Sequence, residues 1–124
     1  MIAAFISSLL AAMLVAVTKT NGDADVLARA TTVLAELQKG TLDRSELTPA
    51  LSALYTPDIL ARDARTLPKS APLSFALRQK TDVDGVTTYV YRVRFNEGIL
   101  DYTFGFDDAT YAITKLFTRP GPPG

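Results

Sequence analysis

An α+β fold, with helices first and a four-stranded antiparallel meander after them, follows from three observations on this 124-residue chain. Thr87, Tyr89, Tyr91, Val93 and Phe95 alternate with Thr88, Val90, Arg92 and Arg94, the period-two pattern of a strand with one buried face. Val26, Leu27, Ala30, Val33, Leu34 and Leu37 recur instead at spacings of three and four, the period of a helix. The helical patterns all precede the strand patterns, so the helices are expected to cover one face of a single sheet.

Composition narrows the chemistry. Close to half of the residues are apolar, enough for one core without covalent staples. Lys plus Arg equals Asp plus Glu, so no net field draws the chain onto nucleic acid. Histidine, cysteine and tryptophan are absent, which excludes His-dependent triads, Cys nucleophiles, imidazole or thiolate zinc sites and disulfides. No glycine-rich phosphate loop occurs, and Asp82, Asp84 and Gly85 are too few for a calcium loop. No catalytic residue, metal site or cofactor is expected.

Ile2 to Val17 is broken only by Ser7 and Ser8 and carries no charge. As a helix it spans about 24 Å at about 1.5 Å per residue, short of a ~30 Å hydrocarbon core. Residues 1–17 are read as an export signal or short membrane anchor, which makes the protein periplasmic, extracellular or membrane-anchored and gives it membrane contact only if the segment is uncleaved. The alternative is a cytoplasmic protein in which this segment is a buried core or interface helix. Residues 23–118 are read as one α+β domain.

After the polar stretch Thr18 to Gly22, Asp23 is expected to cap the first helix and Gly40 to close it. Asp43 and Glu46 stand at capping-box spacing, and Thr48-Pro49 and Thr56-Pro57 each place a cap before a proline at the first helical position. The last helix, with Ile59, Leu60 and Ala64, ends before Pro68, and Lys69 to Pro72 leads into the sheet.

Strand faces set the expected register, because a slip of one residue inverts every side chain. A Glu97-Gly98 turn sets Phe95 opposite Leu100, Val93 opposite Tyr102, Tyr91 opposite Phe104 and Tyr89 opposite Phe106, with Arg94 opposite Asp101 on the other face. In the first hairpin, a three-residue loop of Val83, Asp84 and Gly85 brings Leu77 opposite Tyr91 and Phe75 opposite Val93. A two-residue Asp84-Gly85 turn is rejected because it opposes Lys80 to Tyr89. The third turn falls within Asp107 to Thr110, after which either Ile113 and Phe117 or Ala112 and Leu116 face inward. Arg119 to Gly124 is rich in proline and glycine and is read as a flexible tail.

A twisted sheet wrapped on helices leaves a cone with a mouth, the default place for a ligand. Tyr55, Phe75, Tyr89, Tyr91, Tyr102 and Phe104 are the pocket candidates, for a small apolar ligand. A stripe of tyrosines is also what a packed core contains, since the ring packs and only the hydroxyl seeks water. Asp43, Glu46 and Asp58 suit first helical turns, where backbone N–H groups favour a negative side chain, and Glu36 and Asp63 read as solvated helix faces. Arg78, Arg92 and Arg94, with Lys80 and Lys115 nearby, make the outer sheet face basic. That face is either solvated or, with Thr88 and Val90, a surface for a homodimer.

The stretch LQKGTLDRSELTPALSALYTPDIL from Leu37 to Leu60 resembles small bacterial modules of the nuclear-transport-factor-2-like, cystatin-like cone superfamily, in which a helix ends in Gly before Leu-Asp-Arg, a Thr-Pro helix and a Tyr-Thr-Pro helix. LSFALRQKTDVDGVTTYVYRVRFNEGILDYTFGF from Leu73 to Phe106 is similar to their sheet. The resemblance covers about residues 24 to 118 and implies a cone. Because such modules accompany serine hydrolases as accessory domains, it also implies a non-catalytic binding or protein-interaction role at the cell envelope. Related cones include isomerases and dehydratases. The alternatives are therefore an isomerase or hydratase of a small apolar carbonyl compound, with Tyr91 or Tyr102 as donor, and a structural homodimer with a filled cone.

Overall fold

The computed structural model describes residues 22–122. The apolar run Ile2 to Val17 and the last two residues of the tail lie outside them. Among the described residues no helix is long and apolar enough to cross a membrane. The chain divides into two compact units, Met1–Thr32 and Val33–Gly124, and helix α1, Asp23–Lys39, passes from one to the other.

In the first unit, Gly22 caps α1 through its carbonyl, which accepts from Val26 N–H at 3.0 Å. Asp23 is the first helical residue and not the cap; with Asp25 it puts negative charge in the first turn, where the helix dipole favours it. Val26 and Ala30 are buried.

The second unit begins with the end of α1, which closes as the glycine predicted. Gly40 takes a left-handed φ of 77°. Its N–H donates to Leu37 C=O at 3.0 Å and Thr41 N–H to Glu36 C=O at 3.0 Å, the paired bonds of a Schellman close. A 3₁₀ turn at Arg44–Glu46 is capped by Asp43, whose carboxylate accepts from Ser45 N–H at 3.0 Å. Helix α2, Pro49–Leu54, is capped by Thr48, and α3, Pro57–Thr66, by Thr56, each hydroxyl accepting from the third residue on. The caps satisfy N–H groups that have no partner within the helix. Gln38 Nε2 donates to Pro68 and Ser70 carbonyls at 2.7 and 2.9 Å, tying the linker after α3 back onto α1.

Strands β1 (Ser74–Val83), β2 (Val86–Phe95), β3 (Gly98–Asp107) and β4 (Ile113–Pro120) form an open antiparallel sheet in sequence order. The predicted inward residues of β2 and β3 are on one face. Tyr89, Tyr91, Val93, Phe95, Tyr102, Phe104 and Phe106 are all buried. The same core takes Val33, Leu34, Leu37, Leu47, Leu51 and Leu60 from the helical half of this unit.

Register departs from expectation in three places. In the second hairpin the turn is Asn96-Glu97, with Phe95 opposite Gly98, so Val93 faces Leu100, Tyr91 faces Tyr102 and Tyr89 faces Phe104. This is a slip of two residues, which keeps every side chain on its face, and so the hydrophobic pattern is equally satisfied by both. It places Arg92, not Arg94, opposite Asp101, and the two make a salt bridge at 3.0 Å.

In the first hairpin the rejected turn is the one that forms. Asp84 and Gly85 take φ of 53° and 78°, positive at both central positions as a type I′ turn requires. Val83 faces Val86 and Lys80 faces Tyr89, the Lys80 ammonium lying 5.2 Å from the ring centroid. A bulge between Leu77 and Gln79 then absorbs one residue and restores the expected pairs Leu77–Tyr91 and Phe75–Val93. Lys80 therefore belongs to the aromatic side of the sheet, not the outer one.

The third difference is on β4, where a shift between Gly105 and Phe106 leaves Phe106 opposite Ile113 and Phe104 opposite Leu116. Ile113 and Leu116 are buried together, a spacing of three that neither expected alternative contained. The strand also runs two residues past Thr118, because Arg119 pairs with Asp101 and Pro120 with Leu100.

Candidate functional site

Ring contacts join the sheet's pocket candidates into a continuous layer. Phe75 meets Tyr91 edge-on at 5.8 Å, Tyr89 stacks on Tyr91 at 5.9 Å, Tyr91 touches Tyr102 at 6.3 Å, and Tyr102 touches Phe104 at 6.3 Å. Phe75, on edge strand β1, is half-buried. Tyr102 and Phe104 have no exposed surface and Tyr89 has 1%. Close packing of this kind makes the layer core, with each ring pair contributing roughly 0.5–1.5 kcal/mol beyond area burial.

Burial first, and then the neighbouring Tyr55, Tyr91 and Glu36, push the Tyr102 hydroxyl well above its ordinary pKa. No substrate reaches that hydroxyl unless the sheet opens. Glu36 is not the solvated residue expected: it is half-buried, and its carboxylate accepts from Asp43 N–H at 3.0 Å. Asp82 shares the inward parity of β1 but stands exposed at the hairpin end, where a hydrogen bond with Asp108 raises its pKa. Asp101 faces outward against Arg92.

Tyr55 has a different position. It follows α2 directly, where Arg44 donates to the carbonyls of Ser52 and Tyr55 and so neutralises the helix C-terminus. The Tyr55 hydroxyl donates to Leu116 C=O, which fixes the start of α3 against β4. Burial, reinforced by the charge of Asp63 and opposed by Arg62, raises its pKa to about 12.

Tyr55 also lines a groove of about 330 Å³ between β4 and the two short helices. Leu54, Ile59 and Arg62 form the helical wall; Thr114, Lys115 and Phe117 form the strand wall. Leu54 is 69% exposed and Phe117 41%, so the rim of the groove is apolar and open to water. Thr114 Oγ1 is buried there without a hydrogen-bond partner.

Farther along the same strand, a second concavity of about 400 Å³ opens beside Pro120. Arg65, Leu67 and Lys69 come to it from the end of α3, and Glu97 and Ile99 from the β2–β3 turn. The Ser70 hydroxyl donates to Glu97 at 2.5 Å and holds its carboxyl below the usual range. Among the described residues lining the two concavities, Arg62, Arg65, Lys69 and Lys115 are cationic and Glu97 alone is anionic.

Backbone geometry adds a further element. Ile113 C=O accepts from Thr48 N–H at 3.0 Å and Leu116 C=O from Tyr55, whereas Gly121 N–H donates to Ile99 C=O on β3 at 2.8 Å. Antiparallel ladders alternate residue by residue between groups aimed at the partner and groups aimed away. Leu116, Thr118 and Pro120 therefore aim away from β3, toward the edge. Proline at 120 costs the ladder nothing, since that position needs no N–H.

Apart from Tyr55, the groove was not foreseen from the sequence. The one signal was Phe117, a large apolar residue in a strand position that the burial pattern assigns to the outer face. Comparison with protein-family models, with curated proteins and with solved structures finds no match. The features above define an α+β protein whose open antiparallel sheet carries an apolar groove along one edge strand.

Proposed function

We propose that this chain is a non-catalytic protein-interaction module that uses the groove between β4 and helices α2 and α3. One observation carries this reading: the exposed pair Leu54 and Phe117 flanks an apolar concavity beside an edge strand, while the aromatic side chains Tyr89, Tyr91, Tyr102 and Phe104 are buried. Exposed apolar groups of this size at the rim of a groove are a recurrent mark of interaction sites. The helix-then-meander order supports reading the fold as a nuclear-transport-factor-2-like cone packed shut by its tyrosines, which weighs against a carbonyl isomerase and against a small ligand held among Tyr89, Tyr91 and Tyr102. On this reading the module works at the cell envelope, exported by the run Ile2 to Val17; intact-mass measurement of protein from its native cell tests that.

Homodimerisation through the outer sheet face is less well supported. It brings Arg92, Arg94, Lys115 and Arg119 against their own copies, with Asp101 and Asp107 as the acids on that face. The test of the interaction reading is affinity selection from a displayed library of random heptapeptides against the full chain and against Leu54→Asp/Phe117→Asp. Peptides enriched by the first and not the second support it; equal enrichment by both contradicts it.

A further inference from the structure

The occupant of the groove can be specified further, on the reading that the chain is an interaction module. We infer that an extended, acidic segment of a partner protein pairs with the free edge of β4 from Leu116 to Pro120, adding a fifth strand and placing an apolar side chain between Leu54 and Phe117.

Three independent features point to it. The first is the supply of main-chain groups. Leu116 N–H, Thr118 N–H and C=O, and Pro120 C=O aim at the edge, whereas Ile113 C=O and Leu116 C=O are already satisfied by Thr48 and Tyr55. An incoming strand meets this row at the spacing of a β-ladder over roughly 13 Å, at about 3.3 Å per residue. An edge of this kind pairs with another strand unless the fold blunts it. Among the described residues Leu47 and Thr48 cover its first half, the Tyr55 hydroxyl takes Leu116 C=O and Pro120 brings no N–H, which leaves Leu116 N–H, Thr118 N–H and C=O, and Pro120 C=O for an added strand.

Charge is the second feature. The two concavities stand at successive stations along this edge, with Arg62 and Lys115 at one and Arg65 and Lys69 at the other. Asp63, 3.9 Å from Arg62, and Glu97 offset two of these four charges, and the Lys69 ammonium donates to Ala64 C=O, which still leaves the trough with more positive than negative charge. A segment carrying carboxylates complements it, and a basic one is repelled. The third is chemical: the apolar rim of Leu54 and Phe117 takes an apolar side chain.

The test takes the heptapeptide that the full chain enriches most from the displayed library, together with its charge-reversed form and a form whose alternate amides are N-methylated. Edge pairing predicts an acidic and apolar peptide whose affinity falls with added salt. It also predicts loss of about tenfold or more on N-methylation, since at least one main-chain hydrogen bond goes. The amides of Leu116 and Thr118 are expected to gain protection from hydrogen exchange.

Thr118→Pro blocks the same edge without removing a bond to β3 and is expected to weaken binding to a similar degree. Should that variant not fold, the N-methylated peptide asks the same question of the unaltered protein. A selected peptide that needs Leu54 and Phe117 but tolerates N-methylation overturns strand addition and leaves the interaction module standing. If no peptide separates the full chain from Leu54→Asp/Phe117→Asp, both fall.

Discussion

The Tyr55 hydroxyl donates to the carbonyl of Leu116, 61 residues away, and this bond joins the start of α3 to the strand that borders the groove. Tyr55→Phe removes it and leaves the buried carbonyl without this donor. The expected loss is about 1–2 kcal/mol, the usual range for a hydrogen bond whose partner is left behind, read as a lower urea midpoint with an unchanged slope.

The same residue gives an alkaline signature. Its folded-state pKa of about 12 lies above the ordinary 10, so its contribution to stability is complete below pH 10 and is lost as the pH rises through about 12. Tyr102, raised well above 10 by burial, acts in the same direction. Denaturant midpoints at pH 9 and pH 11 are expected to differ less in Tyr55→Phe than in the parent.

Arg92 and Asp101 are partners, and Arg94 is not. A double-mutant cycle on Arg92 and Asp101 with alanine is expected to give a coupling of up to about 1 kcal/mol, because both side chains are a quarter to a third exposed. The cycle on Arg94 and Asp101 is expected to give none within error. The reverse result would restore the register in which Glu97 and Gly98 form the turn.

That register shows how far the residues alone reach. The caps Thr48 and Thr56, the close at Gly40 and the inward faces of β2 and β3 were legible, because each rests on local chemistry or on a period of two. Which residue faces which was not, since a slip of two preserves the pattern. The β1 and β4 bulges were invisible for a related reason: each inserts one residue, so Ile113 and Leu116 share a face at a spacing no regular strand has. The groove was the least legible. Leu54, Ile59 and Phe117 meet only through tertiary packing, and the open edge at Thr118 is a consequence of strand order.

Gly40 closes α1 at a positive φ with Ala64 against it, and an added Cβ would stand 3.2 Å from Ala64 Cβ. Gly40→Ala is expected to cost about 1–2 kcal/mol from the left-handed backbone, with any crowding added to it. Gly85→Ala at the first hairpin has open space and a similar φ, so it isolates the backbone part. A thermal or urea midpoint for each variant separates the two, and Gly40→Ala is expected to be the lower.

Carboxylates make stability depend on pH in opposite senses. Asp107, held low by the N–H groups of Thr110 and Ala109, contributes stability above the ordinary carboxylate pKa that disappears as the pH falls through its own. Asp82, raised chiefly by its hydrogen bond with Asp108, contributes below the ordinary pKa and loses that contribution as the pH rises through its folded value. Asp107→Asn is therefore expected to flatten the acid limb of the stability profile, and Asp82→Asn to raise stability at neutral pH relative to acid. Urea midpoints at about pH 3 and pH 7 check both.

Isotope-filtered NOE spectroscopy on the full chain with its selected heptapeptide bears most directly on where this protein engages a partner. Contacts from the peptide to the Leu54 methyls and the Phe117 ring are predicted. Contacts running instead to Phe75, Leu77 and Tyr91, on the aromatic side of β1 and β2, would contradict the account and return the binding surface to the aromatic face of the sheet.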